Sequence, residues 1–319
     1  MHSLLLHKKH IFVCLLVVLC FSTSGISQDY AKVDATVSFY PKSFVTTQGL
    51  VEKIKKDFIN PKEQLRAGYS WLINNVAYEP QEYYTYQFQY RVLEERNEKM
   101  AETREAIISR TIQQGIAVCE GYALTLERLC ESLEIQAYVV RGDTKTRPSD
   151  IGRPFDKNHM WMVAVIGDVP MLLDPTWGAG RYQDRFIKSP SYYYYDTPAP
   201  LFLKNHYPEV FDDAYVDFDV SKKAFSERPL VIQKELTVDQ VSPKEGIIKS
   251  KVLSKGIVFS LEGIKAAAIS YTLDTSEKIK ADFKIENNTL LCMIAVKTKA
   301  QSLVIYADDQ PVIGYKIKR

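Results

Sequence analysis

Apolar side chains recur at three- and four-residue spacing between residues 117 and 133, and this pattern predicts a helix with one buried stripe. The stripe consists of Ala123, Leu126, Leu129, Cys130 and Leu133. Cys119 stands at the N-terminal end, where unpaired backbone N–H groups and the helix dipole favour a thiolate, and the small Gly121 leaves room for a substrate backbone. Cys119 is therefore a candidate nucleophile. The alternative is a buried structural cysteine, which is the commoner role of a cysteine taken alone.

The same helical spacing is present upstream of Cys119. It predicts an amphipathic helix over Gln48–Phe58 and a charged helix over 94–108. Between them, Asn60 suits an N-cap and Pro61 suits the first helical position, so a further helix is expected to run to about Asn75.

Other stretches lack helical spacing. The β-like pieces of Gln28–Thr46 predict an extended lead-in, and Ile135–Val140 predicts a strand that Gly142 closes. The aromatic stretch Gln81–Tyr90 is more typical of a half-buried strand or packed loop than of a stacking platform for sugars or bases. Residues 143–158 are rich in proline, glycine and charge, and a connection of this length is often a lid or a substrate wall.

Two β-like runs, 159–165 and 169–174, are separated by a Gly-Asp pair that suits a two-residue hairpin turn. With that turn, Trp161 lies opposite Asp174, and His159 is a diagonal neighbour of Asp174 on the same face. The two side chains are then within reach of a hydrogen bond. A register slip of one residue would place them on opposite faces.

A nucleophilic cysteine needs a base, and the base needs a third group that fixes its tautomer and orientation. Cys119, His159 and Asp174 would supply all three. Each residue also has a structural explanation, because His159 can be a polar strand end and Asp174 a turn former before proline. Zinc binding is the other use of Cys, His and Asp, but the sequence lacks paired ligand spacing such as C-x-x-C, so we expect no metal and no cofactor.

From about Leu236 the chain changes to short alternating apolar runs separated by turn residues. Asn287-Asn288 and Asp308-Asp309 suit hairpin turns. About six or seven strands in roughly eighty residues are typical of a small immunoglobulin-like β-sandwich. We see no catalytic grouping there, so we interpret this part as an accessory binding or spacing domain.

The length of 319 residues predicts a leader followed by two domains. Residues 1–27 resemble a signal peptide, with Lys8 and Lys9 before an apolar run and small residues at its end. The run is shorter than the ~20 apolar residues of a spanning helix, so we expect export to the periplasm or the outside without a transmembrane helix in the mature chain. Lipid anchoring at Cys20 is disfavoured by the bulky Leu19. Residues 28–234 would form the core with its lead-in and tail, and 235–319 the accessory domain.

Removing the leader also changes charge and cysteine content. Loss of two lysines from the 41 basic residues leaves 39 basic and 39 acidic residues. A neutral chain argues against nucleic acid as a partner, because that requires a basic excess. Cys119, Cys130 and Cys292 remain, which is no disulfide framework, and Cys119 is the natural free thiol.

Three segments in the order Cys, His, Asp resemble the transglutaminase-like core domain: A-V-C-E-G-Y-A around Cys119, N-H-M-W around His159 and L-L-D-P-T-W-G-A-G around Asp174. Within that family, the chain is most similar to the branch of kyphoscoliosis peptidase-like, bacterial exported proteins. The resemblance covers roughly Val51–Asp213. One departure is Glu120, where the family often has glutamine, because a negative charge beside the thiol disfavours the thiolate.

The resemblance implies a papain-like α+β core. It implies that Cys119 forms a thioester, that His159 is the general base and acid, and that Asp174 orients the imidazole. The backbone N–H of Cys119 would be an oxyanion donor. Relatives also use an upstream aromatic or polar side chain, and the candidates for oxyanion or substrate support are Tyr78, Trp71 and Trp161. His206 follows the core and is interpreted as structural.

These observations predict an exported cysteine enzyme that acts on amide or peptide carbonyls of a protein or peptide substrate. Hydrolysis is preferred over transfer to an amine, because water is the ubiquitous acceptor outside the cell. The alternative is a non-catalytic interaction protein that retains the fold. In either case the C-terminal domain is available to a partner in the cell envelope.

Overall fold

The computed structural model describes residues 30–85, 89–274 and 277–319. The predicted signal peptide and Cys20 lie outside the described residues, so export and lipid anchoring stay predictions. Within the described ranges, no helix is both long and apolar enough to cross a membrane.

Helices dominate the first half of the described chain. The α-helices of the described residues are α1 (Ala31–Val37), α2 (Thr47–Asp57), α3 (Pro61–Asn75), α4 (Glu82–Thr85), α5 (Leu93–Gln114), α6 (Cys119–Ser132), α7 (Pro175–Ala179), α8 (Ala199–Leu203), α9 (Lys222–Glu227) and α10 (Ser250–Leu253).

Strands form the layer behind these helices and most of the C-terminal part. Upstream they are β1 (Ala77–Tyr78), β2 (Ile116–Ala117), β3 (Gln136–Thr144), β4 (His159–Ile166), β5 (Val169–Leu173), β6 (Gly180–Gln183), β7 (Arg185–Lys188) and β8 (His206–Pro208). Downstream they are β9 (Leu230–Val231), β10 (Val241–Ser242), β11 (Ile247–Lys249), β12 (Ile257–Glu262), β13 (Ile269–Leu273), β14 (Ile279–Ala281), β15 (Phe283–Glu286), β16 (Thr289–Ile294), β17 (Ser302–Ala307) and β18 (Gln310–Lys318).

The upstream half is an α+β core. A four-stranded antiparallel sheet in the order β5-β4-β3-β8 has α2, α3 and α6 packed through a shared hydrophobic cluster on one face. A smaller cluster that includes Trp161 and Phe202 covers the opposite face. The predicted apolar stripe of α6 is buried in the larger cluster, because helical spacing directs all its members toward α3 and the sheet.

Most predicted helices are confirmed, and the N-terminal lead-in differs from its prediction. Asn60 caps α3 by accepting a hydrogen bond from the backbone N–H of Lys62 at 2.9 Å. The lead-in, expected to be extended, contains α1. The β-branched residues of α1 yield to tertiary contacts, since Asp34 accepts two hydrogen bonds from the Arg66 guanidinium at 2.9 and 2.7 Å.

The stretch 81–90 also differs from its prediction. It contains the short helix α4 rather than a strand, and Tyr83 and Tyr84 are exposed on it. Glu82 fixes this helix instead, because its buried carboxylate pairs with Arg110 at 2.6 Å. Residues 86–88 lie outside the described residues.

The predicted hairpin register is confirmed. Gly167 and Asp168 both have positive φ, at 60° and 64°, as a two-residue type I′ turn requires. Met162 pairs with Leu173, which places the next residue, Asp174, beside Trp161 on the face that also carries His159. The turn chemistry therefore sets the geometry of the site.

Strand β3 runs past the predicted stop. Gly142 pairs with His159 on one side and Pro208 on the other, and the strand continues to Thr144. A side chain at Gly142 would lie 2.3 Å from the Trp161 ring and 2.2 Å from the carbonyl oxygen of Tyr207. Glycine is therefore needed here for close packing rather than for strand termination.

The C-terminal part contains two sheets that share one hydrophobic cluster. Their orders are β10-β12-β16-β15 and β11-β18-β17-β13-β14, with β9 paired to β18. Both predicted hairpin turns have positive φ at each central residue, and Cys292 is buried as expected. The immunoglobulin-like assignment and the domain boundaries at 234 and 235 stay predictions.

The segment 143–158, predicted to be a lid or a substrate wall, is held by contacts to β18 and α9, and its predicted role stays a prediction. Lys316 of β18 donates hydrogen bonds to the carbonyl oxygens of Ser149 at 3.0 Å and Ile151 at 2.9 Å. The backbone N–H of Gly152 donates to Ser226 at 2.8 Å. The two bonds from Lys316 hold the segment against the C-terminal part, and the Gly152 bond holds it against α9.

Candidate active site

Cys119 is the first residue of α6, and Val118 alone separates it from β2. Gly115, with φ of +66°, ends α5 and lets the chain reverse into β2, which pairs in parallel with β1. Gly121 does not leave space for substrate as predicted, since a Cβ there would lie 2.7 Å from Ala117 and 2.8 Å from Thr111. The tight packing of α6 on α5 and β2 instead fixes the thiol at the helix N-terminus, where it is partly exposed.

His159 and Asp174 lie on the hairpin as predicted. His159 Nε2 is 2.7 Å from Asp174 Oδ2, and both side chains are almost completely buried. An ionised carboxylate only accepts hydrogen bonds, so Nε2 carries the proton. Cys119 is among the groups that raise the pKa of His159, so the thiol lies close to this imidazole, whose remaining ring nitrogen is Nδ1. The structure thus pairs His159 with Asp174 and places Cys119 near the pair.

Asp174 has a second function as the N-cap of α7. Its Oδ1 accepts hydrogen bonds from the backbone N–H groups of Thr176 at 2.9 Å and Trp177 at 3.0 Å. Asp174 therefore forms the turn before the proline and also contacts His159, so both interpretations of this residue apply. The cap fixes the plane of the carboxylate while Oδ2 faces the imidazole.

His206 is a site residue that the sequence analysis missed. Its Nε2 lies 2.9 Å from Asp174 Oδ2, so the same oxygen contacts two histidines. His206 lies on β8, which pairs with β3 on the side opposite β4. The only available signal was indirect, because a buried carboxylate needs more than one partner to stay ionised.

The charges of the site follow from these contacts. Burial opposes the charged forms of both His159 and Asp174, but their mutual attraction and hydrogen bonds outweigh it. The pKa of His159 is therefore raised above its ordinary value, and the pKa of Asp174 is held well below its own. Burial dominates at His206 and lowers its pKa. These shifts favour an imidazolium at His159, a carboxylate at Asp174 and a neutral imidazole at His206.

The three predicted supporting residues differ in placement. Tyr78 lies on β1 beside the Cys119 turn, and burial, followed by the charge of Cys119, raises the pKa of Tyr78 to about 12. Trp71 is buried in the helical core and donates its indole N–H to the carbonyl oxygen of Pro41 at 2.8 Å, so this donor is committed elsewhere. Trp161 packs its ring 6.2 Å from His159 and 5.3 Å from His206, measured between centroids. It supports the imidazoles.

Two clefts lie next to these residues. One, of about 210 Å³, is lined by residues that flank Cys119, including Val118 and Glu120. The other, of about 400 Å³, is lined by Met160, which follows His159, and by Arg141. An ion pair of 3.6 Å between Arg141 and Glu120 connects the two linings.

A metal could use a different set of residues from the one considered in the sequence. The ligand atoms of His159, Asp174 and His206 all lie within 4.8 Å of one another. Cys119 does not belong to this set. The same atoms already form the two hydrogen bonds to Asp174 Oδ2, which account for their proximity without an ion.

The comparisons with known proteins support assignment of the chain to the transglutaminase-like superfamily. It is similar to kyphoscoliosis peptidase of Mus musculus, with 24% identity over 190 residues that cover 56% of this chain and 26% of the relative. It is also 29% identical over 96 residues to kyphoscoliosis peptidase of Homo sapiens, covering 28% of this chain and 14% of the relative. The chain thus spans about a quarter or less of the length of these relatives.

Comparison with solved structures gives a weaker likeness. A transglutaminase (TGase) crystal structure aligns with a TM-score of 0.29 and 14% identity, covering 55% of this chain and 40% of the other. No protein-family profile matches the chain.

Proposed function

We propose that the protein is a cysteine enzyme that cleaves amide bonds in a protein or peptide substrate through Cys119, His159 and Asp174. The observation that carries the proposal is the position of His159, whose Nε2 lies 2.7 Å from the Asp174 carboxylate and whose imidazole lies beside Cys119. Such an arrangement matches the needs of a nucleophile, a base and an orienting group.

The charge state favours this chemistry. Because Asp174 raises the pKa of His159, the imidazole holds a proton at neutral pH. A protonated His159 beside Cys119 and the positive end of α6 both favour the thiolate as the reacting form of Cys119. The helix N-terminus and the imidazolium therefore stabilise the same negative charge.

In the first step, the Cys119 thiolate attacks the carbonyl carbon, and His159 gives its proton to the leaving amine as the C–N bond breaks. The product is a thioester. In the second step, water attacks the thioester carbonyl and His159 takes a proton from it, which releases the acid and restores the thiolate–imidazolium pair. An amine in place of water would give acyl transfer by the same route.

Two donors are available for the oxyanion that forms in each step. The backbone N–H of Cys119 is one, since it lies in the unpaired first turn of α6. The Tyr78 hydroxyl is the other, because Tyr78 lies on β1 beside the Cys119 turn and its phenol is protonated across the neutral range. Peptidase is the activity named for the two relatives, and it supports a peptide substrate and hydrolysis over amine transfer.

The test is the pH dependence of iodoacetamide labelling at Cys119, followed by mass spectrometry, in the wild type and in His159→Ala. The labelling midpoint is the pH at which the labelling rate of Cys119 is half of its maximum. We expect it to lie well below the ~8.5 of a free thiol in the wild type and to rise toward that value in the variant. Cys130 and Cys292 are buried internal controls, and burial raises their pKa values to about 12 and about 11.

Slow labelling of Cys119 that is indifferent to His159 would refute the enzyme and favour the non-catalytic interaction protein. If the thiol is activated, incubation of a denatured protein substrate with and without a primary amine separates the two reactions. New peptides indicate hydrolysis, and incorporation of the amine indicates transfer.

A further inference from the structure

His206 stands outside the Cys-His-Asp set, yet it contacts the centre of the site. Asp174 Oδ2 lies 2.7 Å from His159 Nε2 and 2.9 Å from His206 Nε2. Asp174 is fully buried, and each of its oxygens has two hydrogen-bond donors. Without His206, Oδ2 would keep one unfilled lone pair in a dry environment, which destabilises a buried carboxylate.

The two histidines contribute differently to Asp174. A carboxylate accepts only, so Nε2 of His206 is the protonated ring nitrogen in this contact. Two imidazolium rings with centroids 5.7 Å apart would repel, and burial keeps His206 neutral. His159 therefore supplies the counter-charge, and His206 supplies a neutral N–H from the other side of the oxygen.

Aromatic neighbours hold the His206 ring in place. It stacks on Phe202 with 4.1 Å between centroids and 29° between planes, and it lies 4.4 Å from Trp177. The edge-on Trp161 ring is 5.3 Å away. Packing thus fixes the His206 ring independently of its hydrogen bond, so the bond orients Asp174 and not the reverse.

We propose that His206 is a positioning residue of the reaction, which aims Asp174 Oδ2 at His159 Nε2 and thereby keeps His159 Nδ1 directed at the Cys119 thiol. This inference rests on the proposed function. Without His206, the Oδ1 cap and His159 alone would hold the carboxylate, so the aim of Oδ2 at Nε2 would loosen and the contact between His159 and Cys119 would weaken. The thiolate would then form only at higher pH.

The experiment compares His206→Gln with His206→Asn in the full chain. Glutamine places an amide N–H where Nε2 lies, whereas asparagine is too short to reach Asp174. We expect the labelling midpoint of Cys119 to rise by about one pH unit in His206→Asn, with about tenfold slower labelling at acidic pH, and to stay near the wild-type value in His206→Gln. Phe202→Leu is the matched packing control, because it removes the stacked ring and keeps the donor.

Equal midpoints in wild type, His206→Asn and His206→Gln overturn the inference. An equal rise of the Cys119 midpoint in His206→Asn, His206→Gln and Phe202→Leu also overturns it, because that result indicates an effect of packing alone. If His206→Asn does not fold by circular dichroism, His206→Phe, which fills the aromatic enclosure without a donor, takes its place. A wild-type midpoint that is normal and independent of His159 defeats the proposed function itself, whereas a low wild-type midpoint with no effect at His206 defeats only this inference.

Discussion

The two halves of the chain differ in what they bury. Among the described residues downstream of 234, Thr272 is the one buried polar or charged side chain. Upstream, the buried polar side chains include several ionisable groups. Those groups include Lys145, His159, Asp174, Lys204 and His206. Burying a charge is unfavourable unless hydrogen bonds offset it. The downstream half is therefore organised by apolar packing, and the upstream half retains costly groups that hold specific partners in place.

The buried ionisable groups upstream have two distinct uses. His159, Asp174 and His206 contact one another next to Cys119. Lys145 and Lys204 instead donate to backbone carbonyl oxygens of the connecting segment 225–236, with distances from 2.6 to 3.3 Å. One set forms the candidate site, and the other attaches the two halves.

The largest expected effect follows removal of the shared carboxylate. Asp174→Ala deletes four hydrogen bonds and leaves two buried histidines without their acceptor, so we expect a loss of about 3–5 kcal/mol in the free energy of unfolding. Activity, or labelling of Cys119 at neutral pH, should fall at least about a hundredfold. Thr272→Val is the downstream counterpart and should cost about 1 kcal/mol or less. Urea denaturation measures both, and equal losses would contradict the contrast between the halves.

Local signals predicted much of the site. The apolar spacing of α6 and the Gly167-Asp168 turn act over a few residues, and together they placed Cys119 at a helix start and Asp174 beside Trp161. Alternation also predicted the C-terminal strands, including the two turns with positive φ. These features are predictable because backbone geometry and side-chain period decide them without help from distant residues.

The features that were missed depend on distant partners. His206 follows Asp174 by 32 residues and reaches it only because β8 pairs with β3, a pairing that no local pattern specifies. Helix α1 was taken for an extended segment because the Arg66 side chain, and not local propensity, stabilises it. Segment 143–158 has loop composition, and only the fold shows that it contacts Lys316.

A smaller effect is expected from Lys145, whose burial should make the free energy of unfolding depend on pH. Burial lowers the pKa of Lys145 to about 7, whereas an unfolded lysine titrates near ~10.4. Between these values the unfolded state binds the proton and the native state does not, so this lysine makes the fold more stable as pH rises and less stable as pH falls toward 7. The difference in unfolding free energy between wild type and Lys145→Met should therefore increase from pH 7 to pH 10. A pH-independent difference, as expected for the exposed control Lys284→Met, would refute this account.

The smallest effect concerns the ion pair between the clefts. Glu120 follows Cys119, and its charge disfavours the thiolate, but Arg141 lies 3.6 Å away and compensates it. Both side chains are partly exposed, so solvent screens the effect to a fraction of a pH unit. Arg141→Gln should raise the labelling midpoint of Cys119, Glu120→Gln should lower it, and the double variant should return close to the wild-type value. Added salt should shrink both shifts, and Lys284→Gln, which breaks an exposed pair with Glu286 in the downstream half, should leave the midpoint unchanged. Shifts of the two single variants in the same direction would show that the pair acts through packing in the cleft and not through charge.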